Sequence, residues 1–170
     1  MARPTEGTFH AVYQQRYIDA ASGKSVSELI DNHSRSLIDF ISSIPEDKAD
    51  YSYAEGKWTV KQLLQHLIDT ERIFTYRALR FSRNDQTELA GFDEDAFAEH
   101  APVNHRSLQN LKDEFVTVRK STDLLLLSFT DEQLAMTGTV SGNFVTVNAL
   151  CYIIFGHNIH HLNILKERYF

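Results

Sequence analysis

The chain has 170 residues, 42% of them hydrophobic and 24% charged, which suits one domain with a substantial core and leaves too little length for two. A formal charge of -6 gives no electrostatic case for a nucleic-acid partner, whose phosphates are met by clustered Lys and Arg. The longest apolar run, around residues 149–155, is far shorter than the roughly 20 residues that cross a bilayer, so no membrane span is expected.

Residues 1–24 mix aromatics with polar residues in no sustained period and are expected to form an extended N-terminal arm packed on the body. Met1 to Gly7 lack an apolar segment followed by a small-residue cleavage site, so a cytoplasmic location is expected. Ser25-Val26-Ser27-Glu28 has the form of a capping box and should open the first long helix, whose stripe Ile30, Leu37, Ile41, Ile44 stops at Pro45. His33 falls within that stripe; a core histidine satisfied by a hydrogen bond is its first reading, a group lining a metal pocket the other.

Thr59 and Gln62 form a second capping box, with Trp58 and Leu63 placed as a hydrophobic staple. The helix that follows carries Leu63, Leu67, Phe74, Ala78 and Phe81 on one stripe and His66 on its flank. Asp69 is close enough in sequence to fix the tautomer of a ligating His66, although such a carboxylate is more often solvated. Glu71, an acid inside an apolar stripe, is the candidate general base.

Residues 84–103 are irregular and acidic, and read first as a solvated connection with one short helical turn. A crossover of this length can also cover the mouth of a bundle. Asn104 or Ser107 should cap the third long helix, which runs to about Phe129. Thr130 to Gln133 repeat the capping box and open a short extra helix, and Thr137 to Asn143 form a turn or small hairpin. The fourth long helix starts near Thr146, with Leu150, Ile154, His157, His161 and Leu165 near one face. Cys151, the single cysteine, lies in this apolar context and reads as a buried inert thiol. The economical fold is all-α: an up-down four-helix bundle over residues 25–170, preceded by the arm over 1–24 and carrying short extra helices.

His157 and His161 are four residues apart, so their imidazoles leave one helix face about one turn from each other and can hold one ion. A catalytic metal site takes three protein ligands, and His66 is the best third. His160 points about 100° away from His161, as an outer or surface group. His10, His100 and His105 have no periodic context and are assigned to the surface.

Three stretches together resemble the DinB-like, or YfiT-like, four-helix-bundle metalloproteins: Trp58 to Glu71, Gly91-Phe92-Asp93-Glu94-Asp95, and Gly156-His157-Asn158-Ile159-His160-His161-Leu162. The resemblance covers nearly the whole chain after the arm. It implies a metal triad of one histidine in the second helix and an H-x3-H pair in the fourth, which maps onto His66, His157 and His161. Ala90 stands where the family commonly has proline, a departure that touches loop stiffness and not the ligands.

The resemblance implies a divalent-metal enzyme (zinc, nickel, iron or manganese) acting on a small molecule, as a hydrolase or as a transferase of a low-molecular-weight thiol such as bacillithiol. An ion held by three neutral imidazoles keeps its full charge, which lowers the pKa of a bound water or stabilises a bound thiolate, so the ligands alone do not separate the two reactions. Hydrolysis would draw on Glu71, Asp69, or the acidic residues Asp93 and Glu94, in that order. The competing class is a non-catalytic metal-binding or homodimeric helical module.

Overall fold

The computed structural model of the protein describes residues 1–5 and 12–170, with the side chains of residues 12 and 13 excepted. The elements run α1 (Val12–Ala20), α2 (Val26–Ser43), a short 3-10 turn (Glu46–Lys48), α3 (Val60–Ser82), α4 (Glu94–His100), α5 (Leu108–Leu127), α6 (Asp131–Ala135), β1 (Thr137–Val140), β2 (Asn143–Thr146) and α7 (Val147–Arg168). No helix among the described residues is long and apolar enough to cross a membrane.

The helix starts are local consequences of the sequence. Thr59 and Thr130 each accept from the backbone N–H three residues on, while Gln62 and Gln133 accept from the cap's own N–H, so both capping boxes close. Ser25 accepts from Glu28 N–H, but the Glu28 carboxylate takes the N–H of Lys24, one residue before the cap. Ser107, rather than Asn104, caps α5, and Thr146 caps α7.

The four long helices α2, α3, α5 and α7 form the expected bundle around one core. Helix α2 packs on α5 and α7, and α3 packs on the same two, so α2 and α3 stand at opposite corners. Cross-helix partners give the directions. Ser34 meets Asp123 and Lys112 meets Ile44, so α2 and α5 are antiparallel. Gln65 meets Arg106, Arg72 meets Glu114 and Thr75 meets Thr122, so α3 and α5 are parallel. Trp58 meets Tyr169 and His66 meets His157, so α3 and α7 are antiparallel.

The order is therefore up-down-down-up, a departure from strict alternation. Its cause is the connection over residues 83–107, long enough to carry the chain back along α3 before α5 begins.

The N-terminal segment also departs from expectation. Residues 12–20 are helical, not extended, and bury Tyr17, Ile18 and, just after the helix, Ala21. Gly156 makes this packing fit: a Cβ there would stand 1.9 Å from the carbonyl oxygen of Tyr17, so α1 lies backbone-close on α7. The hairpin β1–β2 turns through Ser141 and Gly142, both at positive φ (47° and 74°), where glycine is unstrained and serine is not. Leu89 bridges to this hairpin and Gly142 N–H donates to Glu88, which ties the crossover to the bundle end.

Candidate metal centre

Antiparallel packing of α3 against α7 brings His66 beside His157 and His161. His66 Nε2 lies 3.1 Å from His157 Nε2 and 3.2 Å from His161 Nε2. One potential ligand atom from each of the three residues falls within 4.8 Å of the others. His66 and His157 are buried, while His161 keeps an edge to the surface.

Burial disfavours the charged imidazoles. It pushes His66 down to about 4 and His157 well below the ordinary 6.5. Burial, with the nearby charges of His66, His160 and Arg16, pushes His161 down to about 3. At neutral pH all three rings are neutral, the form that ligates metals.

Three neutral rings meeting through Nε2 do not satisfy one another, since a ring proton between two nitrogens serves one pair and leaves the third facing a lone pair. A divalent cation resolves this. Two nitrogens at about 2.0–2.1 Å from one tetrahedral ion are about 3.3 Å apart, close to the separations of His66 Nε2 from each of the other two rings. The two pairs that share His66 thus have the spacing of ligands on one ion.

Outer contacts orient the rings. His66 Nδ1 lies 3.5 Å from Thr70 Oγ1, at the long limit of a hydrogen bond. His157 Nδ1 is buried with no partner among the described residues. Aromatic rings exclude water: Trp58 is 4.8 Å from His66 between ring centres, Phe74 is 5.9 Å from His157, and Tyr17 is 5.5 Å from His157.

Asp69 does not hold the His66 ring as the sequence suggested. Its carboxylate accepts from Gln65 Nε2 at 2.9 Å, and its half-buried position raises its pKa. It nevertheless lines a cavity of about 10 Å³, room for about one water, together with His66, Thr70 and Glu94.

Glu71 is fully enclosed. Oε2 accepts from Arg119 at 3.1 Å and from Asn158 Nδ2 at 2.9 Å. It lies about 140° around α3 from His66 and lines none of the cavities that reach the histidines. The carboxylate read as a base is thus held in an interior ion pair, the usual means by which a buried charge is tolerated.

His33 takes the hydrogen-bonded reading, with Nε2 accepting from Ser22 N–H at 3.0 Å. His160 rests half-exposed against the ring of Tyr17. His100 and His105 are exposed, and His10 lies outside the described residues. Cys151 is buried and its thiol is pushed up to about 12 by burial, as an inert core residue would be.

The crossover lies over the bundle mouth instead of running free in solvent. Phe92, Asp93, Glu94 and Asp95 roof a cavity of about 450 Å³ that reaches His157, with Thr70, Phe74 and Arg77 of α3 along one side. Asp93 also caps α4, accepting from Asp95 and Ala96 N–H. A second cavity, of about 230 Å³, reaches His161 between Tyr53, Trp58, Ile164 and Tyr169. Sequence reasoning missed Phe74 and Arg77, although they stand eight and eleven residues after His66 and so share its helix face. Tyr17 gave no signal because its segment showed no sustained period.

Taken together, bundle and cluster define a helical-bundle protein with three clustered histidines of the kind that hold a metal ion. A family model for the DinB superfamily matches residues 29–165, and the chain belongs to that superfamily. Among solved structures it is similar to YfiT from Bacillus subtilis, described as a probable metal-dependent hydrolase with an unusual four-helix bundle topology. That match has 20% identity and a TM-score of 0.63 over 97% of this chain and 91% of the other. It is also similar to YjoA, a DinB-like protein of Bacillus subtilis, with 22% identity and a TM-score of 0.59 over 83% and 85% of the two chains. No curated protein matches the chain.

Proposed function

We propose that this protein is a divalent-metal-dependent enzyme that hydrolyses a small molecule, with His66, His157 and His161 as the metal ligands. The observation that carries the reading is the convergence of three neutral imidazoles, with His66 Nε2 at ligand spacing from both of the others, beside a cavity of about 450 Å³, a volume typical of small-molecule sites. The description of YfiT as a probable metal-dependent hydrolase supports the same reaction class.

A divalent ion supplies Lewis acidity at an oxygen or sulfur atom of whatever binds beside it. The chain's own residues supply the rest. Tyr17, Trp58 and Phe74 keep bulk water from the imidazoles. Thr70 stands at His66 Nδ1 and favours the ring proton there, so that Nε2 presents its lone pair inward. Asp69, in the water-sized cavity beside His66, is the carboxylate placed to hold a proton at Oδ1 or Oδ2. Glu71 contributes through the fold, by the ion pair that fixes α3 against α5.

Elemental analysis of untagged protein beside His66→Ala tests the reading. About one equivalent of a divalent metal is expected in the native protein and at least a tenfold loss of it in the variant, with the helical circular dichroism unchanged. Equal metal content in the two proteins sinks the site. A loaded protein that turns over no ester, amide or lactone but consumes a thiol with an electrophile would move the reaction to thiol transfer on the same ligands.

A further inference from the structure

The two cavities touch different members of the triad and differ in chemistry. The larger reaches His157 and is lined largely by polar and charged groups, among them Gln14, Arg77, Glu94, Ser141 and Asn143. The smaller reaches His161 through Tyr53, Trp58, Leu63, Ile164 and Tyr169, with exposed Lys57 and Asp95 as its charged members. Asp95 lines both, so the two spaces adjoin beneath the start of α4 with the histidines between them.

The aromatic walls of the smaller cavity are held in place. Tyr169 OH donates to the carbonyl of Trp58 at 2.7 Å, Arg168 donates to Tyr53 OH at 3.2 Å, and the rings of Tyr53 and Tyr169 meet edge to face at 5.1 Å. Trp58 lies against the ring of His66, so one indole belongs both to this cavity and to the metal centre. With both phenolic oxygens engaged in hydrogen bonds, the rings contribute chiefly apolar surface. Open on one side to the surface, its volume of about 230 Å³ is enough for a single aromatic ring with a small substituent, since about 150 Å³ already accommodates benzene. Ring-on-ring contacts add about 0.5–1.5 kcal/mol beyond the area they bury, which favours an aromatic guest over an aliphatic one of equal size.

We propose that the cavity bounded by Tyr53, Trp58, Ile164 and Tyr169 is a subsite for a single aromatic ring, so that the substrate has an aromatic end beside His161 and a polar end in the larger cavity beside His157. The assignment of this ligand as substrate rests on the metal-enzyme reading above; the ring-binding site itself does not. The reacting bond of such a substrate falls between its two ends, at the histidines.

Trp58 is the chain's one tryptophan, which gives a direct readout. Benzyl alcohol, transparent at 295 nm, is titrated into the full-length protein, metal-loaded and metal-free, while Trp58 fluorescence is followed, with glycerol as the ring-free control. Saturable binding of benzyl alcohol in both forms is expected, with no response to glycerol. Ile164→Glu, at a half-exposed position, should weaken binding at least tenfold while metal content and circular dichroism stay unchanged. Tyr53→Ala, on another wall, should also weaken it and serves if the first variant misfolds. No saturable response, or an equal response in both folded variants, overturns the subsite. Metal content measured on the same samples judges the metal centre separately, so failure of one reading is distinguishable from failure of the other.

Discussion

The three clustered histidines make stability depend on pH. Each ring has a folded pKa below its unfolded value, from 6.5 to about 4 for His66 and about 3 for His161. Below pH 6.5 the unfolded chain therefore binds protons that the folded chain refuses. In the metal-free protein this component of stability is fully present above pH 6.5 and is lost as pH falls from 6.5 towards 4 for His66 and towards 3 for His161. The slope approaches about 1.4 kcal/mol per pH unit for each histidine. Urea midpoints of metal-free protein at pH 7.5, 6.5, 5.5 and 4.5 should show the decline, and His161→Gln should flatten it. Parallel curves for native protein and variant would mean that His161 titrates normally in the fold. A metal ion that binds only the folded chain would deepen the effect, adding stability that protons compete away.

At the scale of elements, the contact of α1 with α7 depends on one missing side chain. Gly156→Ala ordinarily favours a helix by about 0.8–1.0 kcal/mol. Here the new Cβ meets the Tyr17 backbone at 1.9 Å, and backbone cannot swing aside as a side-chain tip can. Overpacking of this kind costs about 1–3 kcal/mol, so the expected sign is net destabilisation. A thermal melt should show a lower Tm for Gly156→Ala, with weaker metal retention because Tyr17 rests on His157. A raised Tm would show that α1 yields easily.

This contact also explains what the sequence hid. The capping boxes at Thr59 and Thr130 and the four-residue spacing of His157 and His161 are local, and they are legible because each needs only its own few residues. Helix α1 is nine residues long, too short to be stable alone, and what stabilises it is a glycine more than 130 positions away. The up-down-down-up order is likewise invisible to periodicity, which marks a buried face but not the direction of the neighbour it meets. Glu71 was conspicuous as an acid on an apolar stripe, yet nothing in the sequence showed that Arg119 would face it across 48 positions.

Across the whole molecule, one polar chain reaches all four bundle helices. Ser34 of α2 donates to Asp123 at 2.9 Å, and Asp123 faces Arg119 of α5 at 3.1 Å. Arg119 donates to Glu71 of α3, and Asn158 of α7 donates to the same carboxylate oxygen. Arg119 is 0% exposed and its guanidinium also lies 4.4 Å from the centre of the Phe155 ring. A charge so enclosed is tolerated only while its partners remain, so removing one end should cost more than removing both. Arg119→Met leaves Glu71 buried with Asn158 as its remaining donor and should cost about 3–5 kcal/mol. Glu71→Leu strands Arg119 with Asp123 and should cost a similar amount. The double variant Glu71→Leu, Arg119→Met removes both charges, and its loss should be smaller than either single loss, a coupling of about 3 kcal/mol or more. Urea unfolding of the four proteins measures this coupling, and additive losses would mean that the pair contributes nothing as a pair. Asn158 adjoins His157 on α7, so the same network fixes the rotation of the helix that carries two of the three proposed ligands. The single variants should therefore bind metal more weakly even under conditions where they remain fully folded.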